Sequence, residues 1–344
     1  MYRLIKHFEG INDYGVSEKH LITAGKQPVF FYNQNDFTLI GSLTYQRFPK
    51  ILRVEDDVLL QDQTRIVNID YSLTQKASYP IALEEIRLLD VIDDHLAIVK
   101  QGSVAPGTHR MAMYALREAR MIWDAVCSDY VHRFFNTKYI LVDSDESKSL
   151  VSLDFKTGKE KWTTNVDTIF TNFYGADGEY TIMEHPRVWS ETVVIQIQQL
   201  NSGKRFVAGL DASSGQLKWQ HAGLSNIELF EDQILALNYD GILTKLNADT
   251  GAIFNTTDLS TSFREQEMHC EHRFLATKSH LYFKHGITGK VGILNLTDMQ
   301  LDVIQLPPGN TMATSEVPVP IDNRLYVRSA PQNNLFVYES LSHN

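Results

Sequence analysis

The sequence predicts an all-β chain built from one repeated sheet unit, and three observations carry that prediction. Short runs of alternating or β-branched apolar residues recur throughout, punctuated by Asp, Asn and Gly, while helical periodicity is almost absent. One short sequence is written three times: Leu153-Asp154-Phe155-Lys156-Thr157-Gly158-Lys159-Glu160-Lys161-Trp162, then Leu210 to Trp219 at the same spacing, then Leu246 to Ile253, degrading where the tryptophan should come. Strand starts at Leu21, Val58, Leu96, Ile140, Val194, Ile234, Leu281 and Leu325 are spaced about 43 residues apart, the period of a propeller blade.

In order, the first unit reads as strands His20–Ala24, Val29–Asn33 and Thr38–Leu43. The second reads as Val58–Leu60, Arg65–Asp70 and a weak strand near Gln75–Ser78. The third has His95–Lys100, His109–Leu116 and Arg120–Val126. Its Met111–Val126 stretch has good helix formers, but the repeat frame makes it two strands. The fourth to sixth carry the repeated sentence. The seventh has Leu281–Lys284, Val291–Leu296 and Leu301–Leu306; the eighth has Arg324–Arg328 and Leu335–Glu339 and is one strand short. Each unit takes its fourth strand from a connecting segment, and Tyr2 to Phe8 is the donor for the last. Radially arranged sheets leave bare edges unless the ring closes. The expected fold is therefore a single closed β-propeller domain over residues 1–344, with eight four-stranded blades and the last completed by the N-terminal strand. Seven blades is the alternative if the weak second unit merges with a neighbour.

Within the repeat, Asp154, Asp211 and Asn247 open a turn by bonding backbone two residues on. Gly158, Gly215 and Gly251 end it with positive φ. Trp162 and Trp219 then dock on a neighbouring blade, and Trp123 ends the third unit in an equivalent position. With these residues in place, the chain resembles the PQQ-like repeat family of β-propellers, whose blades carry Leu-Asp, Thr-Gly and Trp at this spacing. The likeness is specific over Leu150–Trp162 and Phe206–Trp219, fair over Gly241–Ile253, and a shadow elsewhere. It implies the fold and not quinone chemistry, because the family includes protein-binding scaffolds as well as quinone-dependent dehydrogenases. Those dehydrogenases carry adjacent cysteines over the cofactor, whereas Cys127 and Cys270 stand far apart. No cofactor is expected.

The composition supports a substantial core, with 43% hydrophobic residues, 17 Phe, 15 Tyr and 4 Trp. A net charge of −10 disfavours nucleic acid and anionic membranes and favours a basic partner. The N-terminal residues lack a signal-peptide pattern, and no apolar run spans a bilayer, so the expected location is the cytosol. Two cysteines make no disulfide framework.

Candidate chemical motifs reduce to turns. Asp143-Ser144-Asp145-Glu146-Ser147 starts like a calcium loop, but Lys148 stands where glycine is needed. Met268-His269-Cys270-Glu271-His272 gathers soft ligands, yet on a strand His269 faces away from Cys270 and His272, so no metal is expected. Gly286 to Val291 is too short for a phosphate loop and reads as a hairpin turn. The acidic pairs Asp56-Asp57, Asp93-Asp94 and Glu231-Asp232, with Asp322-Asn323, are one turn recurring in successive blades, and no catalytic residues are assigned.

What breaks the repeat is the long insert between the fourth and fifth units, crowded with Phe170, Phe173, Tyr174, Tyr180, His185 and Trp189. A strand lies within it, and the remaining aromatics form an exposed patch of the kind that serves as a binding hot spot. The Ser260–Glu271 connection, with Phe263, Arg264 and Met268, is the second long one, on the same face. The partner-binding residues expected are Phe173, Tyr174, Tyr180, His185, Trp189, Phe263, Arg264 and Met268. The expected function is non-catalytic binding of a protein, with the chain monomeric apart from that partner. In its sharpest form the chain is a cytosolic bacterial immunity or inhibitor protein that masks a basic toxin or enzyme. The alternatives are an enzyme or small-ligand binder with a site at the mouth of the central channel, and an assembly scaffold.

Overall fold

A computed structural model describes residues 2–26, 28–45, 50–62, 65–80, 86–92, 96–105, 108–116, 118, 120–128, 133–135, 138–144, 148–174, 179–270, 273–285, 287–312, 316–330 and 332–341. Among them are eight antiparallel sheets and two short helices. The chain divides into two compact units, residues 1–102, 110–124 and 307–344 in one and 103–109 and 125–306 in the other.

After β1 (Tyr2–Phe8), the chain forms a sheet of β2 (Asp13–Val16), β3 (His20–Ala24), β4 (Pro28–Asn33) and β5 (Leu39–Thr44) in that order. The next is β6 (Lys50–Val54), β7 (Val58–Asp62), β8 (Arg65–Ile69) and β9 (Gln75–Pro80); the third is β10 (Ile86–Val91), β11 (Leu96–Ala105), β12 (Thr108–Ala115) and β13 (Arg120–Ser128). The second unit contains the sheet of β14 (Arg133–Phe135), β15 (Ile140–Ser144), β16 (Ser149–Leu153) and β17 (Glu160–Asn165), followed by α1 (Val166–Tyr174). In the fifth sheet β18 (Tyr180–Ile182) and β19 (Arg187–Trp189) both pair with β20 (Thr192–Gln199), beside β21 (Arg205–Asp211) and β22 (Leu217–Ala222). The sixth is β23 (Ile227–Phe230), β24 (Gln233–Leu237), β25 (Ile242–Asn247) and β26 (Ile253–Asp258). Then come α2 (Ser260–Glu265) and the seventh sheet, β27 (Phe274–Ala276), β28 (His280–His285), β29 (Lys290–Asn295) and β30 (Leu301–Gln305).

Finally β31 (Val319–Ile321), β32 (Arg324–Ser329) and β33 (Asn334–Ser340) form a sheet that β1 completes, in the order β1-β33-β32-β31. The pairing runs from Tyr2 opposite Ser340 to Phe8 opposite Leu335, and Phe8, Ile11, Leu21, Tyr326, Leu335 and Val337 form one buried cluster. The eight strand starts read from sequence all fall in the second strand of a sheet, and the connecting segment supplies the first. Met111–Val126 is strand on both sides of a turn, and the weak second unit forms a sheet of its own.

The repeated sentence works as its residue types require. Asp154 Oδ1 accepts the N–H groups of Lys156 (3.1 Å) and Thr157 (2.9 Å); Asp211 and Asn247 do the same for Ser213 and Ser214 and for Asp249 and Thr250. Gly158, Gly215 and Gly251 follow at φ 67°, 72° and 69°. Trp162 Nε1–H donates to Ala212 O (2.9 Å) in the next sheet's turn, and Trp219 Nε1–H donates to Ala248 O (3.2 Å) in the one after. Each indole then lies on that turn's glycine. A Cβ on Gly215 would come within 2.6 Å of Trp162, and one on Gly251 within 2.6 Å of Trp219. Two residues further on, Thr164 and His221 hold the same glycines' carbonyl oxygens at 2.8 and 2.7 Å.

The glycine requirement therefore comes from the neighbour as well as from φ. Phe37, Leu73 and Met299 occupy the corresponding turn position at φ 57°, 65° and 59° with side chains in place. Opposite Leu73 the strand residue is Gly41, where a Cβ would overlap Leu73 Cδ1. The residue aligned with Trp162 and Trp219 in the sixth sheet is Asn255, and the following turn has Met299. A large side chain comes from one side of each of these junctions or from the other.

Two predictions follow from these turns. Gly215→Ala should cost about 2–4 kcal/mol in urea unfolding, from positive φ plus overpacking, and only about 1–2 kcal/mol in a Trp162→Ala background; equal costs in both backgrounds would refute the indole contact. The Thr157 hydroxyl holds the Asp154 carboxyl below its ordinary range, and the Ser213 hydroxyl does so for Asp211. A lowered folded-state pKa gives stability above the ordinary carboxylate range that is lost as pH falls through the folded value. The Asp154→Asn/Asp211→Asn variant, which copies Asn247, should match the parent near neutral pH and lose less stability between about pH 5 and pH 3.

Candidate functional site

Both long connections run from the last strand of one sheet to the first strand of the next. The first contains a helix that sequence periodicity did not predict, because one face of two turns is too short a signal. Asn165 Oδ1 caps it by accepting the Thr168 N–H (2.9 Å), and Val166 and Phe170, four apart, are its fully buried face. Phe170 packs against Tyr180 and Phe206 at ring-centroid distances of 5.4 and 5.5 Å.

Among the described residues, the aromatic side chains of this insert are spread apart. Tyr180 is fully buried beside Phe170 and Phe206, so it is core and not partner surface. Trp189 is half-buried against the cluster of Val194, Val207 and Trp219. Along β20, Tyr180 sits opposite Gln199 and Trp189 opposite Thr192, which separates them by about 23 Å at about 3.3 Å per residue. His185 is half-buried in the break between β18 and β19, its carbonyl accepting from Arg187 (3.0 Å). Phe173 and Tyr174 close α1; their side chains lie outside the described residues, as do Asp93 and Asp94, Glu271 and His272.

The second connection builds a cleft. Asp258 accepts the Ser260 N–H (2.9 Å) as α2 begins, and a bond to the Ser260 side chain holds the Asp258 carboxyl below its ordinary range. The helix ends in a Schellman motif: Met268 N–H donates to Phe263 O (2.8 Å) and Glu267 N–H to Arg264 O (3.1 Å), with Glu267 at φ 49°. That closure brings Phe263 and Met268 together, both buried, as such motifs commonly do. Lys290 Nζ donates to Gln266 O (2.9 Å) and to the Glu267 carboxylate (3.0 Å), placing a cation at the helix C-terminus. The Glu267 carboxyl is held low by this bond.

Below, Phe263 stacks on Phe283 (5.4 Å, 9°), and the pair lies between two glycines. A Cβ on Gly241 would come within 2.6 Å of the Phe263 ring, and one on Gly292 within 2.5 Å of Phe283. The resulting cleft of about 460 Å³ is lined by Asp240, Ser260, Phe263, Arg264, Glu267, Met268 and His269. At its side His269 stacks on the half-exposed Tyr239 (4.2 Å, 11°), with His285 edge-on to His269 at 5.3 Å.

Of the residues expected from sequence, Phe263, Arg264 and Met268 do converge, but with different roles. Phe263 and Met268 form the floor and are buried, a correction to their expected place at the surface; Arg264 is exposed on the rim. Asp240, Tyr239 and His269 were missed as site residues, because nothing in sequence marks the β24–β25 turn as facing α2. Among the described residues no group of three or more His, Cys, Asp or Glu is placed to hold a metal. A second cleft, of about 610 Å³, lies in the first unit between Glu18, His20, Glu55, Asp56 and Tyr71.

Gly241→Ala should raise the Phe263 ring, cost about 2 kcal/mol or more in urea unfolding, and speed amide exchange across α2. Unaltered exchange in α2 would show that the floor does not depend on this contact.

No protein-family model and no curated protein sequence matches the chain. Solved structures do. BamB from Moraxella catarrhalis is 15% identical with TM-score 0.61, over 100% of this chain and 99% of that one. The computationally designed Ika8 protein is 12% identical with TM-score 0.65, over 98% of each. Hsv2 of Kluyvelomyces marxianus is 10% identical with TM-score 0.51, over 87% of this chain and 100% of that one. At these identities the likeness is one of fold, and the fold is an all-β propeller of antiparallel sheets, most of them four-stranded.

Proposed function

We propose that this chain is a non-catalytic protein-binding β-propeller, closed as eight blades with β1 completing the last, and that its partner docks over the α2 cleft. The observation that carries this reading is the cleft itself: an apolar floor fixed between two glycines, and a rim of Asp240, Arg264 and Glu267. A rigid apolar centre with a polar rim is how protein interfaces concentrate binding energy. Phe173 and Tyr174, at the end of the other long connection, are assigned to the same docking face. The net charge of −10 favours a basic partner. In its sharpest form the partner is a toxin or enzyme that this chain masks in a bacterial cytosol.

Among the described residues no helix is long and apolar enough to cross a membrane. Affinity capture from the native host with the whole chain as bait, followed by identification of the retained protein, tests the reading. The partner identified is expected to bind more weakly as salt rises, and to lose at least tenfold in affinity to an Asp240→Lys/Arg264→Glu variant of unchanged thermal stability. A partner bound equally well by that variant would refute docking at the cleft.

A further inference from the structure

The last strands of five sheets share one irregularity, and its residue types differ in an informative way. In each, an extra residue bulges out just after the turn: Ile40 in β5, Lys76 in β9, Lys161 in β17, Lys218 in β22 and Phe254 in β26. A bulge and an exposed lysine are two devices by which edge strands resist pairing with other chains. Lys76, Lys161 and Lys218 are all exposed. In β26 the lysine is replaced by Phe254, 57% exposed, next to Ile253, 50% exposed. β5 carries a similar apolar pair at its bulge, Leu39 and Ile40, 53% and 42% exposed, so two of the five bulges lack the lysine and the charge around each strand must tell them apart.

The charge around the strand has changed with it. Lys218 Nζ reaches across to the following sheet's turn, 4.0 Å from Asp249. The corresponding turn after β26 carries Asp298, and β26 has no cation to offer it. The strand ends at exposed Asp258. From Asn255 to Asp258 the pairing with β25 is regular, leaving β26 as the outer strand of its sheet.

We infer that the outer edge of β26 is a docking strand for an extended partner segment that alternates apolar and basic residues. Its apolar side chains cover Ile253 and Phe254, and its cations meet Asp258 and Asp298. Strand addition of this kind takes affinity from main-chain hydrogen bonds and specificity from alternate side chains. A second copy of this chain fits less well. Antiparallel self-pairing centred on Asn255 and Thr256 sets Asp258 of each copy against Ile253 of the other, burying two carboxylates on apolar surface.

This surface meets the α2 cleft only at Asp258, which bonds Ser260 as α2 begins, and is tested without altering the cleft residues. The probe is a fluorescently labelled ten-residue peptide alternating valine and lysine, with a valine–glutamate peptide for comparison, titrated against the whole chain at low salt. The expected result is saturable binding of the valine–lysine peptide alone, weakened at least tenfold by Phe254→Lys, which restores the residue type of Lys161 and Lys218. Ile40→Lys, at the same bulge of the first sheet, should leave binding unchanged. Equal binding of both peptides, equal loss in the Ile40→Lys variant, or no effect of Phe254→Lys would overturn the inference. So would a concentration-dependent dimer that Phe254→Lys abolishes, since that assigns the strand to a second copy.

Discussion

The contact on which this architecture most visibly depends is an indole lying on a glycine of the next sheet. Trp162 over Gly215 and Trp219 over Gly251 each combine a dry aromatic face with one N–H bond to a turn carbonyl. A buried indole contributes a large apolar area, and its N–H must find an acceptor. The turn carbonyls of Ala212 and Ala248 supply that acceptor, so docking and hydrogen-bond satisfaction occur together. The turn that receives the indole is organised independently, by an Asp or Asn side chain bonding its own backbone. Strand, turn and neighbour are thus fixed by residues within a ten-residue stretch of one repeat, which is why the sentence recurs as a block.

The same packing constraint explains why other junctions look unrelated in sequence. Space between successive sheets admits one large side chain at this level, and either side can supply it. Where the strand provides tryptophan, the turn is glycine; where the turn provides Leu73, the strand is Gly41. Met299 keeps positive φ without being glycine, and the residue of the preceding sheet aligned with the indoles is Asn255. Close packing makes these pairs covary in size, whereas backbone conformation alone would have favoured glycine in every turn.

This reciprocity also sets what could be read from the sequence. The sheet frame was legible because strand starts, turn acids and positive-φ glycines are local signals, and even β1 was recognisable as a strand lacking its own unit. The two helices were not. In α1 only Val166 and Phe170 are deeply buried among its described side chains, and α2 buries Phe263 alone, so neither repeats long enough to register. Of the expected partner-binding residues, Phe263, Arg264 and Met268 line the α2 cleft, and they stood out in sequence because they interrupt the repeat. Their burial was not foreseen, because it is imposed by Phe283, Gly241 and Gly292, which are remote in sequence. Tyr180 and Trp189 of the aromatic insert are separated for a related reason. Composition records that aromatics are close in sequence, while a strand spends about 3.3 Å on every residue and carries Trp189 far from Tyr180.

The cleft obeys the rule that builds the blades, with an aromatic seated on a glycine, but turns it to another use. At the sheet junctions the ring is supplied by a strand and locks two sheets. Here it is supplied by a helix of six residues, and what it locks is the helix. A helix this short has little stability of its own. Phe263 on Gly241, the Schellman closure through Met268, and the Lys290 cation at its C-terminus together hold it in place. The rim residues Arg264 and Glu267 are therefore carried on an element whose position is set by packing rather than by propensity. That gives a surface connection the rigidity a binding site needs, using the contact the scaffold already employs elsewhere.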